Sequence, residues 1–223
     1  MKKQEGSMMA DSQWPADPED NRQYCRLDQL NSGWWQEAEM LLARGQGNFP
    51  HLTVTREGIE LPWWGQPVLV VPAAKRMVPL AGQQPLTYQE GLVILGLLGY
   101  AVRHDQLPPA TGLVSAEHLT GGTTFFRGPH VMASVLISRR FARDGAAFLT
   151  LGQAVGGQPA AYGEYGLAFS WYPGLTWIVA LWEEDEEFAA RAMYLFDRSI
   201  EQLFALDVIW ALGNVVARKM AAP

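Results

Sequence analysis

The sequence has very little cysteine and little charge. Its 223 residues include one cysteine, Cys25, and only 18% of them are charged. A lone cysteine cannot form a disulfide within the chain, and it cannot supply an all-cysteine zinc or iron–sulfur site. This usage is consistent with a reducing compartment, so we expect a cytoplasmic protein in which Cys25 is an ordinary thiol.

A long apolar run and an excess of basic residues are also missing. The longest apolar stretch, Gly91–Val102, is far shorter than the roughly 20 residues that span a bilayer. Gln4–Gln13 is too polar to be the core of an export signal. Seventeen basic and 23 acidic residues give a net charge of −6, which disfavours binding to nucleic acid. We therefore predict neither a membrane nor a nucleic-acid partner.

Hydrophobic residues are abundant, at 48% of the chain, which is enough to build a substantial core. Residues 1–22 are rich in Asp, Glu, Gln, Ser and Pro, and we expect them to form a flexible tail. No linker interrupts the remainder. We therefore predict that residues 23–223 form one globular α+β domain, mostly an antiparallel sheet with helices packed on it.

The first half of this domain predicts two helices separated by a small antiparallel meander. Asn31–Arg44 carries a helical apolar face, with Ser32 as its cap. Three short β-rich runs follow, divided by glycine-containing turns: His51–Arg56, Ile59–Trp64 and Pro67–Val71. Thr87 and Glu90 have capping-box spacing, so a buried helix should begin there.

The second half predicts short helices, a strand hairpin and a helical end. The short helices are expected at Ser115–Thr120, Val131–Arg143 and Ala146–Val155. Leu175–Glu184 is apolar on both faces, so it should be a central strand between Gly166–Trp171 and Arg191–Phe196. Two helical segments close the chain: Ser199–Ala205 and Asp207–Met220.

Several local motifs of this half form a signature: Leu119-Thr120-Gly121-Gly122, Leu151-Gly152, Gly156-Gly157, the run from Trp182 to Phe188, and Leu195-Phe196-Asp197. This pattern resembles the family called domain of unknown function 3786. The resemblance implies a source among anaerobic bacteria or archaea. Some relatives carry an additional four-cysteine iron–sulfur segment of the type seen in corrinoid iron–sulfur proteins, which this chain cannot hold. The family supplies no catalytic residues to transfer.

The acidic run Glu183–Glu187 is the sharpest local feature, because it follows directly on the predicted central strand. Asp185 and Glu186, joined by Asp197, would offer the oxygen ligands that Mg²⁺, Mn²⁺ or Ca²⁺ prefer. Two alternatives remain open. The run is also typical of solvated carboxylates that cap turns or pair with arginine, with Asp197 beginning a helix, and of an acidic patch that faces a partner.

Three further residues are candidates for ligand binding. Trp182 lies at the end of the predicted central strand, and Arg127 and His130 lie near a helix start that could receive an anion. A simple role in helix entry explains the last two equally well. Two tryptophan pairs, Trp34-Trp35 and Trp63-Trp64, could each leave one ring outside for a flat ligand or a partner; core-and-rim packing is the alternative.

Recognisable catalytic motifs are missing. There is no G-x-S-x-G elbow and no histidine pair at i, i+4 spacing, and Gly121-Gly122 lacks the lysine of a phosphate-binding loop. The favoured hypothesis is a non-catalytic binding or accessory module for a protein partner or for a planar cofactor such as a corrinoid or tetrapyrrole. The alternatives are a metal-dependent enzyme that uses the carboxylate cluster and a homo-oligomeric subunit, such as a homodimer joined through an exposed tryptophan pair.

Overall fold

The computed structural model describes residues 26–45, 47–82 and 84–221. The predicted tail and Cys25 lie outside these residues. The described part contains these α-helices: α1 (Ser32–Arg44), α2 (Tyr88–Arg103), α3 (Gly122–Phe125), α4 (Ser134–Arg140), α5 (Gly145–Ala154), α6 (Ile200–Leu203) and α7 (Leu206–Ala221). The strands are β1 (Thr53–Val54), β2 (Ile59–Trp63), β3 (Gln66–Val71), β4 (Arg76–Pro79), β5 (Leu113–Val114), β6 (Gln158–Pro159), β7 (Tyr165–Tyr172), β8 (Leu175–Trp182) and β9 (Arg191–Asp197). The predicted α+β fold class, with antiparallel sheets and helices packed on them, is thus confirmed.

The first sheet is the predicted antiparallel meander, with strand order β1-β2-β3-β4. A two-residue turn joins β2 to β3 and places Pro62 opposite Pro67. This pair is the second one from the turn. It is a non-hydrogen-bonded pair of the antiparallel ladder, so the missing N–H groups of the two prolines cost no hydrogen bond between β2 and β3. The fourth strand, β4, was missed because it has only four residues and ends in Pro79.

The second sheet is also antiparallel and has the order β5-β9-β8-β7-β6. β8 is its central strand, as its two apolar faces predict. Trp177, Val179 and Leu181 on one face are buried, and so are Ile178 and Ala180 on the other. The predicted partners Gly166–Trp171 and Arg191–Phe196 lie within β7 and β9, on either side of β8.

One hydrophobic core joins the two sheets. The backbone N–H of Trp64 donates to the carbonyl oxygen of Trp171 across 2.9 Å, at the place where the sheets meet. The Trp63 and Trp171 rings pack edge to face there, with centroids 5.9 Å apart. α2 is apolar around most of its circumference because it packs against both α1 and α7.

Three local predictions were wrong in detail. Asn31, not Ser32, caps α1, because its side chain accepts the N–H of Gly33 at 2.8 Å. Ser115–Thr120 is reduced to a 3₁₀ turn at residues 116–118, and Gly122 begins α3 instead of ending a helix. Val131–Arg143 is reduced to α4, because a separate turn at 128–130 that contains Pro129 precedes it.

None of the described helices combines the length and the apolar character needed to cross a membrane.

Candidate functional site

A half-open cleft of about 710 Å³ lies where the β2–β3 turn, the start of α2 and the ends of α5 and α7 converge. Its apolar lining includes Leu86, Val155 and Val215. The polar and aromatic lining includes Trp63, Trp64, Glu90, Arg218 and Lys219. The volume falls within the range of pockets that bind small molecules and cofactors.

Trp64 occupies a strained backbone position at the edge of this cleft. It has φ +50 and Gly65 has φ +73, which is the conformation of a type I′ turn that normally carries Asn-Gly. A bulky side chain at positive φ costs free energy and persists only where the surroundings enforce it. The centroid of the Trp64 ring lies 5.6 Å from that of Phe169 and 6.4 Å from that of Trp63. Packing therefore holds this indole at the cleft.

Glu90 is the buried anchor of the site. Its carboxylate accepts hydrogen bonds from the Trp63 Nε1 at 3.0 Å and from the backbone N and Oγ1 of Thr87 at 2.9 and 3.1 Å. The Lys219 Nζ lies 3.4 Å from the same carboxylate. These contacts satisfy a charge that would otherwise be costly to bury. Glu90 thereby joins the first sheet, α2 and α7.

Lys219 also faces an aromatic ring, with its Nζ 5.2 Å from the Trp64 centroid in a cation–π contact. Arg218 lies beside it in the last turn of α7, where the helix dipole favours cations. The ionisable residues that line the cleft are Glu90, Arg218 and Lys219, so the lining carries a net charge of +1. The described lining of the cleft therefore combines two basic side chains with an aromatic edge, although the chain as a whole is acidic.

A second cleft of about 330 Å³ is lined by Ser115, Glu117, His118 and Arg191, among others. The Ser115 Oγ lies 2.8 Å from the Glu117 Oε2 and 2.8 Å from the His118 Nδ1. Both contacts join residues that lie within three positions of each other in the chain. The arrangement therefore stabilises the 3₁₀ turn at residues 116–118.

The predicted acidic site is dispersed into local contacts. Glu183 accepts the N–H of Gly145 at 2.6 Å, and Glu184 pairs with Arg143. Asp185 accepts the backbone N–H of Phe188 at 2.7 Å and that of Glu187 at 2.8 Å. These two bonds hold the pKa of Asp185 below its ordinary value.

Asp197 stabilises a different connection. Its carboxylate accepts the N–H groups of Thr111, Gly112 and Ser199 at 2.8–3.0 Å. Burial alone would raise the pKa of Asp197, but these hydrogen bonds outweigh it and hold the pKa well below the usual range. Across the described residues, no group of three or more His, Cys, Asp or Glu side chains is placed to hold a metal ion. The structure therefore does not bring Asp185, Glu186 and Asp197 together as ligands.

The remaining predicted ligand-binding residues are also separate from the two clefts. Arg127 is exposed, and His130 stacks on Phe125 with ring centroids 4.5 Å apart. Trp182 is half-buried, beneath the Arg191 guanidinium at 5.6 Å. Neither cleft is lined by these residues or by Asp185 and Glu186.

The two tryptophan pairs do not expose a ring. Trp35 and Trp63 are buried, and Trp34 and Trp64 are half-buried. The core-and-rim alternative therefore describes both pairs, and Trp64 is the rim residue that reaches the cleft. Sequence reasoning noticed Trp64 and the capping role of Glu90, but it missed Arg218 and Lys219. The one available signal was a carboxylate at the start of an otherwise apolar helix.

Comparison with known proteins supports the resemblance drawn from the local motifs. A family model described as "Domain of unknown function (DUF3786)" matches residues 51–219, and the whole lining of the larger cleft falls within this range. No curated protein and no solved structure matches the chain. The match covers well over half of the sequence, and the chain therefore belongs to the DUF3786 family.

Proposed function

We propose that the protein is a non-catalytic binding module whose larger cleft takes a small organic anion with a flat, apolar part. The observation that carries this proposal is the position of Lys219 over the Trp64 ring, beside the buried carboxylate of Glu90. A cation next to an indole face at the edge of a cleft can contact both the charge and the ring of such a ligand.

The buried carboxylate supports binding rather than catalysis. The oxygens of Glu90 already accept hydrogen bonds from Trp63 and Thr87 and face Lys219. A general base must be able to reach the proton that it removes, within about 3 Å or through one water. Glu90 is committed to its protein partners, so its role is to fix the Trp63 ring and the Lys219 ammonium in place.

The hypothesis of a planar cofactor such as a corrinoid or tetrapyrrole fits this cleft only for recognition of the ring face and its acid groups, without ligation of a central metal. Flat rings with carboxylate or phosphate substituents match the aromatic edge and the two basic side chains. Among the described residues that line the cleft, none is a His, Cys, Met or Tyr that could serve as an axial ligand to a metal at the centre of a corrinoid or tetrapyrrole. The side chains present therefore favour recognition through ring faces and peripheral acid groups.

A fluorescence titration tests the proposal, since Trp63 and Trp64 line the cleft. The panel would contain a metal-free porphyrin dicarboxylate, cobalamin, flavin mononucleotide and an uncharged flavin. We expect at least one anionic ring compound to shift the tryptophan emission, with binding about tenfold weaker in Lys219→Met, as expected for the loss of about 1.4 kcal/mol.

Lys75→Met is the matched control, because Lys75 does not line the cleft. It should bind like the unaltered protein. Equal affinities for the charged and uncharged flavins, or no binding from any member of the panel, would contradict the proposal.

A further inference from the structure

Phe188 is the most exposed of the large hydrophobic side chains in the described residues, at 69%. It ends a turn, Asp185–Phe188, that backbone and side-chain hydrogen bonds fix. The Asp185 N–H donates to the Phe188 carbonyl oxygen at 3.0 Å, and the Asp185 carboxylate accepts the Phe188 N–H in return. We name these four residues the Phe188 turn. The Phe188 ring is thus exposed to solvent on a turn whose backbone is fixed by hydrogen bonds.

The flanks of this ring are acidic. Glu186 and Glu187 are exposed, and their carboxylates make no ion pair or hydrogen bond to any described residue. An aromatic ring on a fixed turn loses little conformational entropy when it binds, and aromatic anchors dominate many interfaces. The Phe188 turn therefore has the chemistry that the larger cleft favours: a flat apolar group beside negative charge.

The turn and the cleft of the same chain lie at opposite ends of α5. Glu183, just before the turn, is bonded to Gly145 at the start of α5, whereas the cleft is lined by Ala154 at its end. Nine residue steps separate Gly145 from Ala154, which is about 14 Å at 1.5 Å per residue. An occupant of this kind must come from another molecule.

We propose that the Phe188 turn of a second copy of this chain inserts into the larger cleft. The Phe188 ring would pack against Trp64 and Val155, and Glu186 and Glu187 would face Arg218 and Lys219. This inference rests on the proposed preference of the cleft for aromatic anions. Its consequence is competition: a small ligand in the cleft would displace the second copy, so ligand binding would control assembly.

Sedimentation of the full chain over a concentration series tests this contact. We expect an average mass above 24.7 kDa that rises with concentration and falls as salt is added. Phe188→Ala should weaken the association at least tenfold, as for an interface anchor. Met40→Ala, at another exposed hydrophobic residue, should leave it unchanged.

A mixing experiment makes the test specific to the pairing of turn and cleft. Phe188→Ala keeps the cleft and lacks the anchor, whereas Lys219→Met keeps the anchor and has a weakened cleft. For a head-to-tail contact, in which one turn enters one cleft, each variant alone should associate more weakly than the 1:1 mixture, because the intact turn of Lys219→Met can enter the intact cleft of Phe188→Ala. A mixture no heavier than the two separate samples would overturn the proposal.

The outcomes also separate this inference from the proposed function. Phe188→Ala should still bind the anionic ring compound, since Phe188 lies outside the cleft lining. A monomer at every concentration that nevertheless binds the compound would reject the second-copy contact alone. Association that depends on Phe188, without binding of any compound in the panel, would reject the small-molecule function alone.

Discussion

The larger cleft and the acidic run Glu183–Glu187 show two ways in which one chain handles charge. In the acidic run the charges are adjacent in sequence, and nearby backbone N–H groups or one arginine contact them. In the cleft, Glu90 and Lys219 are distant in sequence and meet against a buried tryptophan. The comparison teaches that three carboxylates of a conspicuous acidic run, Glu183, Glu184 and Asp185, are held by local contacts, whereas the paired charges of the cleft are brought together by the fold.

Glu90→Ala should give the largest effect and would sharpen this contrast most. The substitution leaves the Trp63 Nε1 and the Lys219 ammonium without their shared acceptor. We expect a loss of about 3 kcal/mol in the free energy of unfolding, because the buried Trp63 N–H loses its acceptor and the capping box of α2 is broken. Urea denaturation measures it. Glu39→Ala, at an exposed position of α1, is the control and should change stability little.

Gly122→Ala tests whether a glycine of the family signature is needed for folding stability or for ligand binding. A Cβ atom at Gly122 would collide with the carbonyl oxygen of Ala116. We expect a loss of about 2–3 kcal/mol in stability, measured by denaturation. Gly121→Asn should be tolerated better, because asparagine adopts the positive φ found there. Normal stability with loss of ligand binding would assign Gly122 to a binding role.

Asp197→Asn should have a smaller and pH-dependent effect. An amide in place of the carboxylate weakens the bonds from Thr111, Gly112 and Ser199, at a cost of about 2 kcal/mol near neutral pH. The folded-state pKa of Asp197 is lowered, so its contribution is present above the unfolded pKa of about 4 and is lost as the pH falls through the folded value.

The difference in stability between Asp197→Asn and the unaltered protein should therefore shrink as the pH falls below about 4. Thermal unfolding over a pH series measures it. A difference that grew on acidification would contradict the assignment of Asp197 as a hydrogen-bonded carboxylate.

Asp185→Ala should have the smallest effect. Its carboxylate stabilises an exposed turn and not the core, so we expect no measurable change in the global free energy of unfolding. Local order should fall, because the N–H groups of Glu187 and Phe188 lose their acceptor. Faster hydrogen exchange at these two amides would show it. A large loss in the global free energy of unfolding would contradict this expectation. It would mean that Asp185, like Glu90 in the cleft, stabilises the core.

The parts of the fold that the sequence predicts are those fixed by nearby residues. The capping box of Thr87 and Glu90 marks the start of α2, and the two apolar faces of β8 mark a central strand. Glycine-containing turns mark the meander. The four-residue strand β4 escapes because its hydrogen bonds come from β3, and its own sequence carries little periodicity.

The binding site was less predictable for a related reason. Capping-box spacing identifies Glu90 as a helix-start residue, but that spacing carries no information on burial or on Lys219. The pairing of these two side chains depends on how α7 packs against α2. The acidic run stands out in the sequence because its residues are contiguous. A carboxylate in such a run can accept backbone N–H groups a few residues away, as Asp185 does from Phe188.

The junction of the two sheets also has an optical consequence. Trp63 lies edge to face with both Trp64 and Trp171, at centroid distances of 6.4 and 5.9 Å. Indoles at such separations couple their electronic transitions, so near-ultraviolet circular dichroism should carry an exciton signal from this one location. If that signal faded on warming before the far-ultraviolet signal of the helices, the sheets would be parting while each remained folded.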